Sequence, residues 1–206
     1  MLHARFGLIG ACLLMPLAAL AATTYGISPS AGTRVGFSAK VSAMGVTENT
    51  VTGWSQTVKG PTIAWSADQT RLDKPVTFTV PTASFSTKLA LRDHDIQQIL
   101  EAGRYPTVRF VLQSIDGLTA AEMAAGRGDF TAIGELTAHG VSHGLRLPCT
   151  FVRQGARLQV QGQSGVTWGQ FGLKAPTAMG GTVRAQDTFQ VMLESSWDVD
   201  TLLKGK

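Results

Sequence analysis

From Arg34 onward, apolar side chains return at every second position, the pattern of strands that bury one face. RVGFSAKVSA places Val35, Phe37, Ala39 and Val41 on one side, and KPVTFTVPT does the same with Val76, Phe78 and Val80. TVRFVLQSI sets Val108, Phe110 and Leu112 opposite Arg109, Val111 and Gln113. GLRLPCTFV aligns Leu145, Leu147, Cys149 and Phe151, ARLQVQGQS aligns Leu158 and Val160, and DTFQVMLES aligns Phe189, Val191 and Leu193. Turn signals separate these runs at VKGPT, HGVSHG and RQGAR. With NTVTGWSQTV and DFTAIGELTAH added, the tally is roughly eight or nine strands, close to what one small closed barrel needs. A sandwich would show the same spacing, but closure removes the exposed edges of such long alternating strands. The expected fold is mainly β: a single antiparallel up-and-down barrel of about eight strands.

One stretch breaks the alternation. RDHDIQQILEAGRYPTVRF reads as a short helix running into a strand. Asp93 or Asp95 suits the first turn as a cap, and Ile96, Ile99 and Leu100 form one apolar stripe. Gly103 is placed to end the helix in a left-handed conformation, and Pro106 prevents its resumption. About ten residues are too few to stand alone, so the stripe is expected to dock across a barrel mouth as a lid spanning Ala90–Gly103. SADQTRLDK (66–74) and LTAAEMAAGRGD (118–129) read as connections, the second with one helical turn over Ala120–Ala125. There is no internal repeat.

The first residues are set apart from the fold. Phe6–Leu20 is an apolar run after a weakly basic start, and Ala19–Leu20–Ala21 offers a small-x-small cleavage pattern. Residues 1–21 are therefore expected to be a cleaved export signal, cut after Ala21 or Ala22, and 22–206 a single domain in the periplasm or secreted. IGAC before Cys12 loosely resembles a lipoprotein box, but more apolar sequence follows it, which argues against lipidation. Loss of the leader lowers the formal charge from +4 to about +3. The excess is scattered, with no basic stripe for nucleic acid. Cys149 is then the sole cysteine, so no intramolecular disulfide forms and the core itself must supply the stability.

Candidate chemistry is sparse. Arg92 and Asp93 open the helix; the plain reading is a cap and its neighbour, the functional one a guanidinium meeting a ligand's polar end. His94 diverges from Asp93 on a helix and reads as solvent-exposed. His139 and His143 are four apart but straddle a turn, so the interval loses its metal-binding meaning. Cys149 shares the parity of Leu147 and Phe151 and is expected to be buried and inert. No Ser-His-Asp set or phosphate loop stands out, and neither an enzyme nor a resident cofactor is expected. What remains is an apolar lining, either a filled core or the wall of a hollow.

The sequence resembles the YceI-like family through three blocks. These are SFSTKLALRDHDIQQILEAGRYPTVRF (Ser84–Phe110), GELTAHGVSHGLRLP (Gly134–Pro148), and GQFGL followed by DTFQVMLE. The resemblance implies an exported, lipocalin-like barrel that binds a polyisoprenoid or related long amphiphile, quinone-like or fatty-acyl, in a hollow interior. On that reading Phe37, Phe78, Phe85, Phe110, Phe151 and Phe189 line the ligand, with Leu147 and Leu158. Leu91, Arg92 and Ile99 would contact it at the lid. Burying a twenty-carbon tail is worth roughly 16 kcal/mol gross, against about 8 kcal/mol for micromolar affinity. The family's opening Trp-x-Ile-Asp-Pro is replaced by TYGISPSAG, and the Arg before its Phe–Gly by Gln170, which leaves the head group open. The alternatives are an enzyme or redox accessory acting on an isoprenoid through Arg92, Asp93 or His94, and a closed structural stress barrel. Transient membrane contact and a homodimer are open.

Overall fold

A computed structural model describes residues 25–27, 32–45, 47–61, 63–65, 71–155 and 157–198. The expected leader, the Cys12 box and part of the 66–74 connection lie outside them. The elements in order are β1 (Tyr25–Ile27), β2 (Arg34–Ala43), β3 (Thr47–Ser55), β4 (Ile63–Trp65), β5 (Val76–Pro81) and α1 (Ala90–Ile99). There follow β6 (Thr107–Asp116), α2 (Ala120–Ala125), β7 (Arg127–Ala138), β8 (Val141–Gln154), β9 (Arg157–Thr167), β10 (Thr177–Ala178) and β11 (Val183–Asp198).

Eight antiparallel strands form one curled sheet in the order β3-β2-β11-β9-β8-β7-β6-β5, with β10 added on β11 and β1–β4 as a separate ribbon. The order is a meander whose two ends are consecutive in the barrel path. Those ends meet at two single bridges, not along a ladder. Trp54 and Ser86 exchange N–H···O bonds of 3.0 and 2.9 Å, and Lys59 and Thr79 exchange bonds of 2.9 and 2.8 Å. The expected eight-stranded barrel is thus present, with a lightly stitched seam between β3 and β5.

Local sequence explains the corners. His139 and Gly140 are the two-residue turn between β7 and β8, both at positive φ (50° and 73°), which fits the right-handed twist of a hairpin. Thr119 caps α2 in a capping box with Glu122, and Gly126 ends it left-handed, as the 120–125 reading required. Strand burial follows the predicted parity: in β8, Leu145, Leu147, Cys149 and Phe151 are buried and their neighbours exposed.

The helix α1 departs from expectation at both ends. Its N-cap is Leu89, and no side chain caps it. Asp93 sits on the fourth helical residue. Side chains tilt toward a helix N-terminus, so its carboxylate reaches back to accept from Thr87 N–H (2.6 Å), Thr87 Oγ1 (2.6 Å) and Ser86 Oγ (2.7 Å). It staples the lid to the end of the seam. At the other end the left-handed residue is Glu101 (φ 45°), not Gly103. Ala102 N–H bonds Gln97 O and Glu101 N–H bonds Gln98 O, a Schellman closure made two residues early. A glutamate tolerates that conformation because His139 and Arg104 hold its carboxylate.

Candidate functional site: an apolar lumen

The buried side chains do not fill the barrel. They surround a cavity of about 290 Å³, at the lower edge of ligand-pocket sizes. No charged residue lines it, and Thr33 and Ser195 are the hydroxyl-bearing residues of its wall. Strand parity supplies the sides: Phe37 from β2, Phe78 from β5, Phe110 from β6, Leu147 and Phe151 from β8, Leu158 from β9 and Phe189 from β11.

Each end of the wall has a helix. α1 lies at the end where β5 stops and β6 starts, and its stripe of Ile96, Ile99 and Leu100 faces the lumen. α2 links β6 to β7 at the opposite end and contributes Met123, with Leu118 just before it. The 3-10 turn Trp168–Phe171 follows β9 at the same end of the barrel as α1. Phe171 is 1% exposed, Trp168 stacks on Phe189 at 4.2 Å, and the Trp168 indole N–H donates to Gln186 O at 2.9 Å. Trp197 likewise donates to Ser195 Oγ at 2.8 Å, so neither indole leaves a bare N–H in the wall.

Of the residues predicted to contact ligand, Phe37, Phe78, Phe85, Ile99, Phe110, Leu147, Phe151, Leu158 and Phe189 line the cavity. Leu91 and Arg92 do not. Leu91 lies about 130° around the helix from the stripe and is 78% exposed. Arg92 shares the stripe's face one turn earlier, half-buried, and among the described residues its guanidinium has no hydrogen-bonded partner. Sequence reading passed over Phe130, Trp197, Trp168 and Phe171 as lining residues. Phe130 and Trp197 carry the parity of Ala132 and Leu193 and were legible. Trp168 and Phe171 sit in an irregular turn, where no period marks them.

The polar residues near the mouth serve as ties. Gln170 accepts from Thr167 N–H (2.7 Å) and meets His143 Nε2 at 2.8 Å. His139 joins Glu101 and the Phe171 carbonyl. His94 meets Gln98 on the exposed side of α1. Among the described residues no group of three His, Cys, Asp or Glu could hold a metal ion. Cys149 is buried, and desolvation pushes its thiol up to about 11, so at neutral pH it is a small apolar wall residue.

A hollow antiparallel barrel with a charge-free lumen and a short helix at its mouth defines the class. Within it, a family model for the YceI-like domain matches residues 25–196, and the chain belongs to that family. Solved structures agree in fold. BcnA of Burkholderia cenocepacia is 18% identical with a TM-score of 0.58, over 79% of this chain and 95% of that one. A polyisoprenoid-binding domain from Saccharophagus degradans, implicated in plant cell wall breakdown, is 12% identical with a TM-score of 0.57, over 84% and 97%. A Campylobacter jejuni YceI protein is 17% identical with a TM-score of 0.55, over 71% and 83%. No curated protein matches.

Proposed function

We propose that the protein is an exported carrier that holds one long apolar molecule, a polyisoprenoid, quinone-like or fatty-acyl amphiphile, inside the barrel without covalent chemistry. The observation that carries this reading is the cavity of about 290 Å³ with no charged residue in its wall. Such a surface gives a hydrocarbon chain its whole binding energy through burial and offers a charged group nothing. The polyisoprenoid-binding domain of like fold supports the ligand class. Export rests on the leader read in residues 1–21. Arg92, on the rim and beside the lid stripe, would meet a polar end left outside the lumen. Exposed Leu89 and Leu91 flank the start of the lid and would touch a membrane during loading; a homodimer is the other association open to the chain.

Native mass spectrometry of the purified protein, with organic extraction and weighing of what is released, tests the proposal. The expected result is a single long-chain species bound one to one. A barrel that comes up bare and takes up no prenyl or acyl chain in saturable fashion would overturn it.

A further inference from the structure

Three positions paired by register with inward-facing residues are glycines, on three different strands: Gly53 on β3 opposite Phe37, Gly134 on β7 opposite Leu112 and Gly162 on β9 opposite Cys149. Each is covered by a side chain from the preceding barrel strand. A Cβ at Gly53 would stand 2.5 Å from Phe37 Cε1 and 2.6 Å from Cζ. One at Gly134 would stand 2.2 Å from the Val111 carbonyl oxygen and 2.8 Å from Phe110 Cζ, and one at Gly162 2.6 Å from Cys149 Sγ and 3.0 Å from the Pro148 carbonyl oxygen. Phe37 and Gly53 are direct cross-strand partners, as are Cys149 and Gly162. The Phe37 and Phe110 rings and the Cys149 thiol therefore lie sideways along the wall, on top of bare backbone, where a side chain on the neighbouring strand would lift them inward. Glycine weakens a strand through entropy and lost packing, so its repeated use here points to close approach of a neighbour. Phe37 lies over its direct partner Gly53 and Phe110 over the diagonal Gly134, and the gain is empty space at the centre.

We propose that Gly53, Gly134 and Gly162 set the bore of the lumen, and so select for the cross-section of the chain it takes, admitting methyl-branched prenyl chains as well as straight acyl chains. The inference rests on the carrier reading for its ligand and on geometry alone for the bore. A prenyl chain carries a methyl branch on every fourth backbone carbon and is thicker than an acyl chain of equal carbon number. Narrowing the wall at one pad penalises the branched chain first.

Gly53 is the pad to test, because a Cβ there meets only side chains, Phe37 and Thr87 Cγ2 at 3.3 Å, and no backbone. Dansyl-labelled farnesyl and pentadecyl chains are titrated into wild type, Gly53→Ala, and Gly53→Ala with Phe37→Leu. A crystal structure of Gly53→Ala is determined alongside. The expected result is a loss of about tenfold in farnesyl affinity for Gly53→Ala, a smaller loss for pentadecyl, and recovery in the double variant. If Gly53→Ala does not fold but the double variant does, the clash of pad and ring is established directly. Failure of both to fold, or a folded Gly53→Ala that binds both chains like wild type, overturns the inference. If wild type binds neither chain, the carrier reading falls and the crystal structure decides the bore. Phe37 swung off the wall supports it, and a ring left in place over a shifted backbone overturns it.

Discussion

His139 and Glu101 meet at the mouth of the barrel, with Nε2 of the histidine 3.1 Å from Oε1 of the glutamate and Nδ1 3.2 Å from the Phe171 carbonyl. One side chain thus ties the β7–β8 hairpin to the end of the lid and to the Trp168–Phe171 turn. The Tyr105 ring packs against the imidazole edge-on at 4.8 Å.

The hydrogen bond from His139 holds the Glu101 carboxyl below its ordinary 4.5, with help from the His139 and Arg104 charges. A lowered carboxyl pKa contributes stability that is present above the unfolded value and is lost as pH falls through the folded one. Glu101→Gln is expected to speed amide exchange at Ala102 and Tyr105 at neutral pH. The difference from wild type should shrink as pH falls below 4.5 and close once the folded carboxyl is protonated. Equal exchange at pH 7 would show that the tie does not hold the lid.

Asp93 is the second tie. Three donors on Ser86 and Thr87, the Thr87 hydroxyl foremost, hold its carboxyl below 3.8 despite partial desolvation. Asp93→Ala removes the acceptor for a backbone N–H and two hydroxyls, and should cost about 1–3 kcal/mol in urea unfolding at pH 7. Wild type should lose this advantage as pH drops below 3.8, so the two midpoints converge in acid.

Cys149 should resist maleimide at pH 7.5 in the folded protein and react at once in denaturant, because its thiol is buried and shifted toward 11. Rapid labelling of the native state would place the sulfur somewhere other than the wall.

Phe171→Ala should cost about 3–5 kcal/mol, lowering Tm by roughly 10 °C. The ring is among the most deeply buried of the chain and seats the turn on Phe189 and His143. A shift of only a degree or two would mean that the turn is not part of the cooperative core.

Thr33 lines the lumen with a buried hydroxyl that has no hydrogen-bond partner among the described residues. Replacing such a group by an apolar one of the same shape is neutral or stabilising. Thr33→Val should leave the urea midpoint unchanged or raise stability by up to about 1 kcal/mol. A clear loss would reveal a bond made by that oxygen.

Most of the strand plan could be read from the chain because a period of two is a local property. Phe110 beside Leu112, or Leu147 beside Phe151, announces a buried face whatever the partner strand. The same holds for α2, where Thr119, Glu122 and Gly126 specify start and stop within eight residues. The lid was harder. Asp93 looked like a cap and Gly103 like a terminator on local grounds, yet contacts outside the helix, one just before it and one far along the chain, set both ends. Thr87 drew the Asp93 carboxylate backward, and His139 made a left-handed Glu101 tolerable.

By itself the sequence determined the inward parity of the long strands, that the fold is mainly β, and that a short helix must find an apolar surface to cover. Only the tertiary structure decided that the interior is hollow, that the seam closes at two bridges, and that Arg92 and Leu91 stay out of the lumen. Parity tells a residue which way to point but not how far its neighbour lets it reach. That distance depends on pairs such as Phe37 over Gly53, which come together only when the strands do.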